Sequence, residues 1–156
     1  MRIVWAIFWG GLVAGGLDIL SAFASYVPHG ATEIGILKYI ASGLTGAGAL
    51  KGDAAMALLG LAVHFGLTAI MAAIFVALAL RLPRLIERPW LFGCLYGAVV
   101  YGAMAYVIVP HSGAPGWKLP AGWDIVSGLL AHCLFVGAPI AHIARHFLQA
   151  PAPSQA

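Results

Sequence analysis

The sequence predicts an all-α membrane protein built as a bundle of four transmembrane helices. Of its 156 residues, 62% are hydrophobic and only 8% are charged, whereas a soluble domain carries about 25% charged residues. So few charges cannot cover a water-facing surface, and the net charge of +3 comes without a basic cluster. The composition therefore excludes a soluble enzyme, a disordered chain and a nucleic-acid-binding protein, and it makes the lipid bilayer the expected partner.

Four apolar stretches are long enough to cross a bilayer, which takes about 20 residues. They predict a single membrane domain over residues 1–149, followed by a flexible tail at 150–156 that is rich in proline and small residues. The predicted spans are residues 3–27, 54–80, 89–110 and 125–147. In the first outer loop, Glu33 to Leu44 is expected to form a short helix at the membrane interface.

Basic residues indicate the orientation of the bundle. Five arginines fall at the two termini and in the second loop, which lie on one side of a four-span chain: Arg2, Arg81, Arg84, Arg88 and Arg145. The opposite loops carry lysines that are fewer in number and accompanied by acidic residues. Because Lys and Arg are enriched on the cytoplasmic side of membranes, both termini are predicted to be cytoplasmic.

Two pairs of segments resemble each other and indicate an internal repeat. Residues 11–29 align with residues 93–111, and residues 60–80 align with residues 128–148. The bundle is therefore predicted to contain two similar helical hairpins in parallel orientation. Both hairpins carry a G-x-x-x-G pattern, which permits close helix packing within the bundle or within a homo-oligomer. The glycines of this pattern are Gly11, Gly15, Gly93 and Gly97.

Four polar side chains are expected at one depth in the membrane, one from each span. They are Asp18, His64, Tyr101 and His132, placed by counting about 1.5 Å of helix rise per residue. An ionisable group exposed to lipid costs several kcal/mol, so such groups normally face the bundle interior. The four residues are therefore predicted to form a buried polar cluster.

Several roles for this cluster are open at the level of sequence. It can be a satisfied polar core that fixes the register of the helices. His64 and His132 occupy matched repeat positions, where they could be the axial ligands of a haem b, and with Asp18 they make a two-histidine, one-carboxylate set for a metal ion. A redox protein or a proton or ion conduit that uses the same residues is a further alternative.

The last span carries a resemblance to a known family. The run VSGLLAH at 126–132 follows Lys118-Leu119-Pro120 and the pair Trp123-Asp124, and the preceding span ends in Val109-Pro110. This half of the chain resembles the YagU-like bacterial inner-membrane proteins. The resemblance implies a location in the bacterial inner membrane and makes His132 a shared feature, but it implies no biochemical activity because that family has none established.

The absence of enzyme motifs favours a non-enzymatic role. The sequence contains no nucleophile–base pair, phosphate-binding loop or zinc-protease pattern, and its loops are too short to house a separate active site. We therefore expect a small membrane subunit or scaffold, working in a larger complex or a homo-oligomer. Cys94 and Cys133 lie in apolar runs, where free cysteine packs as a small hydrophobic residue.

Overall fold

The computed structural model describes residues 1–149, which form helices joined by short turns and one longer loop. The α-helices are α1 (Arg2–Tyr26), α2 (Glu33–Thr45), α3 (Ala54–Arg81), α4 (Arg84–Glu87), α5 (Pro89–Ala103), α6 (Trp123–Ala131) and α7 (Ala138–Gln149). Short 3₁₀ turns cover Val27–His29 and Ala47–Lys51. A π turn, Met104–Ile108, continues α5, and a second π turn, His132–Gly137, joins α6 to α7. The flexible tail predicted at 150–156 lies outside the described residues.

Four helical segments are long and apolar enough to cross a membrane. They cover Arg2–His29, Ala54–Arg81, Pro89–Ile108 and Trp123–Gln149. The prediction of an all-α fold with four such helices is confirmed, and the chain has the architecture of a multi-pass membrane protein. The short helix expected over Glu33 to Leu44 is also present as α2, which ends one residue later.

The four long segments pack as a bundle with α1 at its centre. Helix α1 runs along α3 on one side and along α7 on the other, while α5 packs on α7 and the second π turn. Tyr96 connects α5 to α3, because its hydroxyl donates a hydrogen bond to the Met71 carbonyl at 2.7 Å and its ring meets Phe75 edge-on. The core is made mostly of alanine together with the larger Phe75, Val76, Val136 and Ile140.

Proline explains both π turns. Proline has no N–H to donate, and its ring clashes with the carbonyl four residues earlier. Each π turn ends two residues before a proline, Pro110 or Pro139. The residue just before that proline donates its backbone N–H to the carbonyl five positions earlier in the chain. Val109 donates to Met104 in this way at 3.0 Å, and Ala138 donates to Cys133. The wider turn moves the carbonyl away from the proline ring.

Glycines allow the closest helix crossings. A methyl group added at Gly11 would lie 2.7 Å from Ala69 Cα, so α1 and α3 touch backbone to backbone there. The same addition at Gly93 would lie 2.8 Å from Ala138 Cα in α7. Gly15 and Gly97 lie one turn further along at the same two contacts. The four glycines of the G-x-x-x-G patterns thus lie at helix contacts inside one chain.

Helix α2 lies against α3 at one end of the bundle. Its first turn is capped by Thr32, whose hydroxyl accepts from the Gly35 N–H at 3.0 Å. Gly60 of α3 approaches the Leu37 carbonyl so closely that no side chain fits between the two helices. The loop at 109–122 joins the same end, which we call the α2 end. The opposite end, with both described chain termini and α4, is called the terminal end.

Candidate functional site: a polar cavity between α1, α5 and α6

A cavity opens where α6 stands away from α1. Helix α1 packs closely on the second π turn and α7, whereas its contact with α6 is slight at most, and α6 has no buried residue. The space between them has a volume of about 770 Å³ and is lined from the α2 end inward by α1, α5, α6 and the loop at 109–122. Ligand sites in proteins typically measure about 300–1,000 Å³. The cavity therefore has room for a small molecule.

Asp18 on α1 and His132 on the second π turn both contribute polar side chains to the wall of this cavity. Both side chains line it and are half-buried. The Asp18 carboxylate has no hydrogen bond or ion pair with any residue from 1 to 149. The His132 Nδ1 donates to the Gly128 carbonyl of its own helix at 2.9 Å, which leaves Nε2 as a hydrogen-bond acceptor in the neutral ring.

Tyr101 contributes a buried hydroxyl to the same part of the cavity. The residue is 8% exposed, and in the described part of the chain its hydroxyl is the buried side-chain oxygen or nitrogen that lacks a hydrogen-bond partner. Its ring packs on Gly128 and meets His132 edge-on at a centroid distance of 5.5 Å. A buried polar group without a partner costs about 1–3 kcal/mol, so this hydroxyl is an unsatisfied polar group in the wall of the cavity.

Aromatic side chains surround the mouth of the cavity at the α2 end. They are Tyr26, Tyr39, Trp117 and Trp123, and Lys118 and Asp124 lie beside them. Trp117 fixes the loop over α5, because its indole N–H donates to the Ala105 carbonyl in the first π turn at 3.1 Å. Burial raises the pKa of Tyr39, and the nearby Tyr26 raises it further. The Tyr39 phenol therefore stays neutral at physiological pH.

His64 does not join this group. It is buried between α1 and α3, where its Nε2 donates to the Gly15 carbonyl at 2.8 Å. One turn along, the Thr68 hydroxyl donates to the Gly11 carbonyl at 3.0 Å. The structure therefore gives no support to one buried cluster of four residues. Asp18, Tyr101 and His132 line one cavity, His64 belongs to a helix interface, and among the aspartate and the two histidines of the predicted cluster only His64 is buried.

The described geometry gives no support to the predicted haem and metal sites. Within residues 1–149, no three His, Cys, Asp or Glu side chains are grouped closely enough to hold a metal ion, and this includes the predicted set of His64, His132 and Asp18. His64 donates a hydrogen bond to the Gly15 carbonyl in the α1–α3 interface, while His132 lines the cavity, and haem binding by the pair stays a prediction.

Several lining residues were not anticipated from the sequence as parts of a site. Ser21 is the exception, because it follows Asp18 by three residues and helical spacing predicts it on the same inward face of α1. Trp117, Lys118 and Asp124 come from or next to the long loop, and no periodic pattern indicates where a loop folds back. Cys94 and Cys133 are free and lie at the α5 contact, where the Cys133 thiol donates to the Cys94 carbonyl at 3.2 Å.

Comparison of the chain with models of protein families, with curated proteins and with solved structures finds no match. The function is therefore argued from the cavity and its residues.

Proposed function

We propose that this chain is a non-enzymatic subunit of a membrane that binds a small polar molecule in the cavity between α1, α5 and α6. The observation that carries the proposal is the buried hydroxyl of Tyr101, which has no hydrogen-bond partner in the described chain and whose ring meets His132, in a cavity that Asp18 also lines. Polar groups inside a membrane bundle are expensive and commonly line a binding site or pathway. A ligand that pairs with these groups would offset that cost.

The serine side chains of the cavity favour binding over catalysis. Ser21 donates its hydroxyl to the Asp18 carbonyl at 2.8 Å, and Ser127 donates to the Trp123 carbonyl at 2.9 Å. His132 is oriented by a backbone carbonyl and contacts neither hydroxyl. An activated nucleophile needs a base within hydrogen-bond reach. In the described chain no hydrogen bond joins the side-chain hydroxyl of Ser21, Ser25 or Ser127 to a histidine or carboxylate side chain, and His29 bonds only the backbone carbonyl of Ser25.

We also propose that the bundle arose from two related hairpins, as the sequence repeat predicts. Two matched pairs of contacts support this. His29 bonds the Ser25 carbonyl at 2.9 Å, and His111 bonds the Val107 carbonyl at 2.7 Å, at equivalent positions. Likewise Gly15 contacts Phe65, and its counterpart Gly97 contacts Cys133. Within the described chain, the π turns occur only in the second hairpin. The cavity is lined by residues next to these turns, where the structure of the second hairpin differs from that of the first.

The proposed location is the bacterial inner membrane, with the terminal end in the cytoplasm and α2 at the outer interface. Exposed arginines support this orientation, since Arg81, Arg84, Arg88 and Arg145 all lie at the terminal end. The α2 surface carries the exposed apolar residues Ile34 and Leu44 together with the exposed Glu33, as an interfacial helix requires. The resemblance to the YagU-like family implies the same location. That resemblance stays a prediction. The cavity would then open to the outside.

Thiol labelling on intact cells tests this orientation. In a chain with Cys94→Ala and Cys133→Ala, a single cysteine is placed at exposed Glu33 or at exposed Arg84. A membrane-impermeant maleimide is expected to label Glu33→Cys on intact bacteria and Arg84→Cys only after the membrane is opened. The cysteine-free chain is the control, and the reverse labelling pattern would contradict the orientation.

Blocking the cavity tests the binding proposal. The purified chain in phosphatidylcholine nanodiscs is titrated with three probes of similar size, benzylammonium, benzyl alcohol and benzoate, with empty nanodiscs as the blank. Ser25→Trp on α1 and Ala131→Trp on α6 fill the cavity from opposite walls. Each is expected to weaken binding at least about tenfold, which equals about 1.4 kcal/mol.

The matched control for these variants is Ala77→Trp, which adds the same side chain to an exposed position of α3 outside the cavity. It should leave probe binding unchanged. Circular dichroism and gel filtration verify that each variant is folded. Failure of all three probes to bind, or unchanged binding in both blocked variants, would refute the proposal.

A further inference from the structure

We infer that the molecule bound in this cavity is a small organic cation with a protonated amine, held by the Asp18 carboxylate among aromatic rings. This inference rests on the proposed binding function and narrows it to one class of ligand. Three features of the described residues carry it: the charge of the cavity wall, the acceptor character of its inner groups and the aromatic surface of its mouth.

The charge of the wall favours a cation. Two carboxylates, Asp18 and Asp124, and one ammonium, Lys118, line the cavity. Lys118 and Asp124 are exposed at the mouth, so Asp18 is the formal charge of the inner part. Its carboxylate has no counter-charge among residues 1–149. A half-buried carboxylate gains from a partner of opposite charge, which an ammonium group supplies, whereas an anion would be repelled and a neutral molecule would leave the carboxylate without a counter-charge.

The inner polar groups are suited to a ligand that donates hydrogen bonds. The Asp18 carboxylate only accepts, and the His132 ring, whose Nδ1–H is engaged by the Gly128 carbonyl, presents Nε2 as an acceptor in its uncharged form. The Tyr101 hydroxyl oxygen can also accept. An ammonium group carries up to three N–H donors, which matches these groups. A bare metal ion fits less well, because the described residues form no group of three ligands and the cavity is far larger than an ion.

The aromatic lining adds a second source of attraction for a cation. Tyr26, Tyr39, Tyr101, Trp117 and Trp123 all border the space. The face of an aromatic ring attracts a cation within about 6 Å, most strongly where water is excluded. The organic part of an amine can also pack on these rings. An amine with a small apolar body therefore matches both the inner carboxylate and the mouth.

The three probes used above discriminate between ligand classes. At pH 7, benzylammonium is positive, benzyl alcohol is neutral and benzoate is negative. We expect benzylammonium to bind about tenfold more tightly than benzyl alcohol or better, and benzoate to bind most weakly. Asp18→Asn should weaken benzylammonium binding by about 10–100-fold, as expected for a lost hydrogen bond to a charged group, and should leave benzyl alcohol binding nearly unchanged.

Glu33→Gln is the matched control, since it removes one negative charge from an exposed position of α2 outside the cavity. It should leave the affinity for benzylammonium unchanged. Should Asp18→Asn fail to fold, the ranking of the three probes on the unmodified chain still decides the question. Equal affinity for benzylammonium and benzyl alcohol, or benzylammonium binding that is unchanged in Asp18→Asn, would overturn the inference. If Ser25→Trp and Ala131→Trp still abolish binding in that case, the cavity remains a binding site and only the ligand class is wrong.

Discussion

Gly97→Ala is expected to destabilise the bundle by about 1–3 kcal/mol. Gly102→Ala, in the same helix α5, should be tolerated. An added methyl group at Gly97 would overlap the His132 carbonyl oxygen and lie 2.7 Å from Cys133 Cα. Both atoms belong to backbone, so α5 and the second π turn would have to separate. At Gly102 an added methyl group has nothing within 4 Å, and replacing a helical glycine by alanine gains up to about 1 kcal/mol.

The two variants form a matched pair, because each adds one methyl group to a glycine of α5. Unfolding of the purified chain in mixed detergent micelles, followed by circular dichroism, gives the two free energies of unfolding. Separation of α5 from the π turn would also weaken the hydrogen bond from the Cys133 thiol to the Cys94 carbonyl. It would move His132 in the cavity wall as well. Gly97→Ala should therefore also reduce probe binding. Equal stability of the two variants would show that this contact is less rigid than its geometry indicates.

The second large effect separates the two histidines that occupy equivalent positions in the sequence repeat. His64→Ala should cost about 2 kcal/mol of stability or more, because it removes the hydrogen bond to the Gly15 carbonyl and leaves a void in the buried α1–α3 interface. His132→Ala should cost less than about 1 kcal/mol, because His132 is half-buried and bonds within its own helix. It should instead alter the affinity of the cavity for benzylammonium.

The same two measurements, detergent unfolding and probe titration, are made on both variants, so each serves as the control for the other. Thr68→Val provides a second test of the α1–α3 interface, since it removes the hydrogen bond to Gly11 with little change in volume. The interpretation would be wrong if His132→Ala proved the more destabilising change, or if a folded His64→Ala chain lost probe binding while His132→Ala kept it.

Local signals in the sequence were sufficient for the positions of the helices. Each long apolar stretch became a helix whose ends differ by only a few residues from the predicted spans, because apolar length is a property of a segment by itself. Helix α2 ends at Thr45, and the next residue, Gly46, has a φ of 79° that suits glycine. Pro110 and Pro139 each follow a π turn and are local signals of the same kind, although no π turn was predicted from the sequence.

The candidate site was only partly predictable. Counting residues along each span placed Asp18, Tyr101 and His132 at similar depth, and these three do line one cavity. The same count placed His64 with them, yet its ring lies in the α1–α3 interface. Depth along a helix follows from the sequence, but the direction of a side chain depends on which neighbour its face meets. A π turn changes that direction further, because it alters the helical phase where it occurs.

Composition and spacing alone determined that this chain is an all-α protein with four apolar helices long enough to cross a bilayer, because the scarcity of charge and the length of each apolar segment are local properties. Only the tertiary structure decided that α6 stands away from α1, that the loop carrying Trp117 closes over α5, and that His132 faces a cavity while His64 does not. These features depend on how closely helix backbones approach and how each helix is rotated. Such quantities arise from contacts between distant segments.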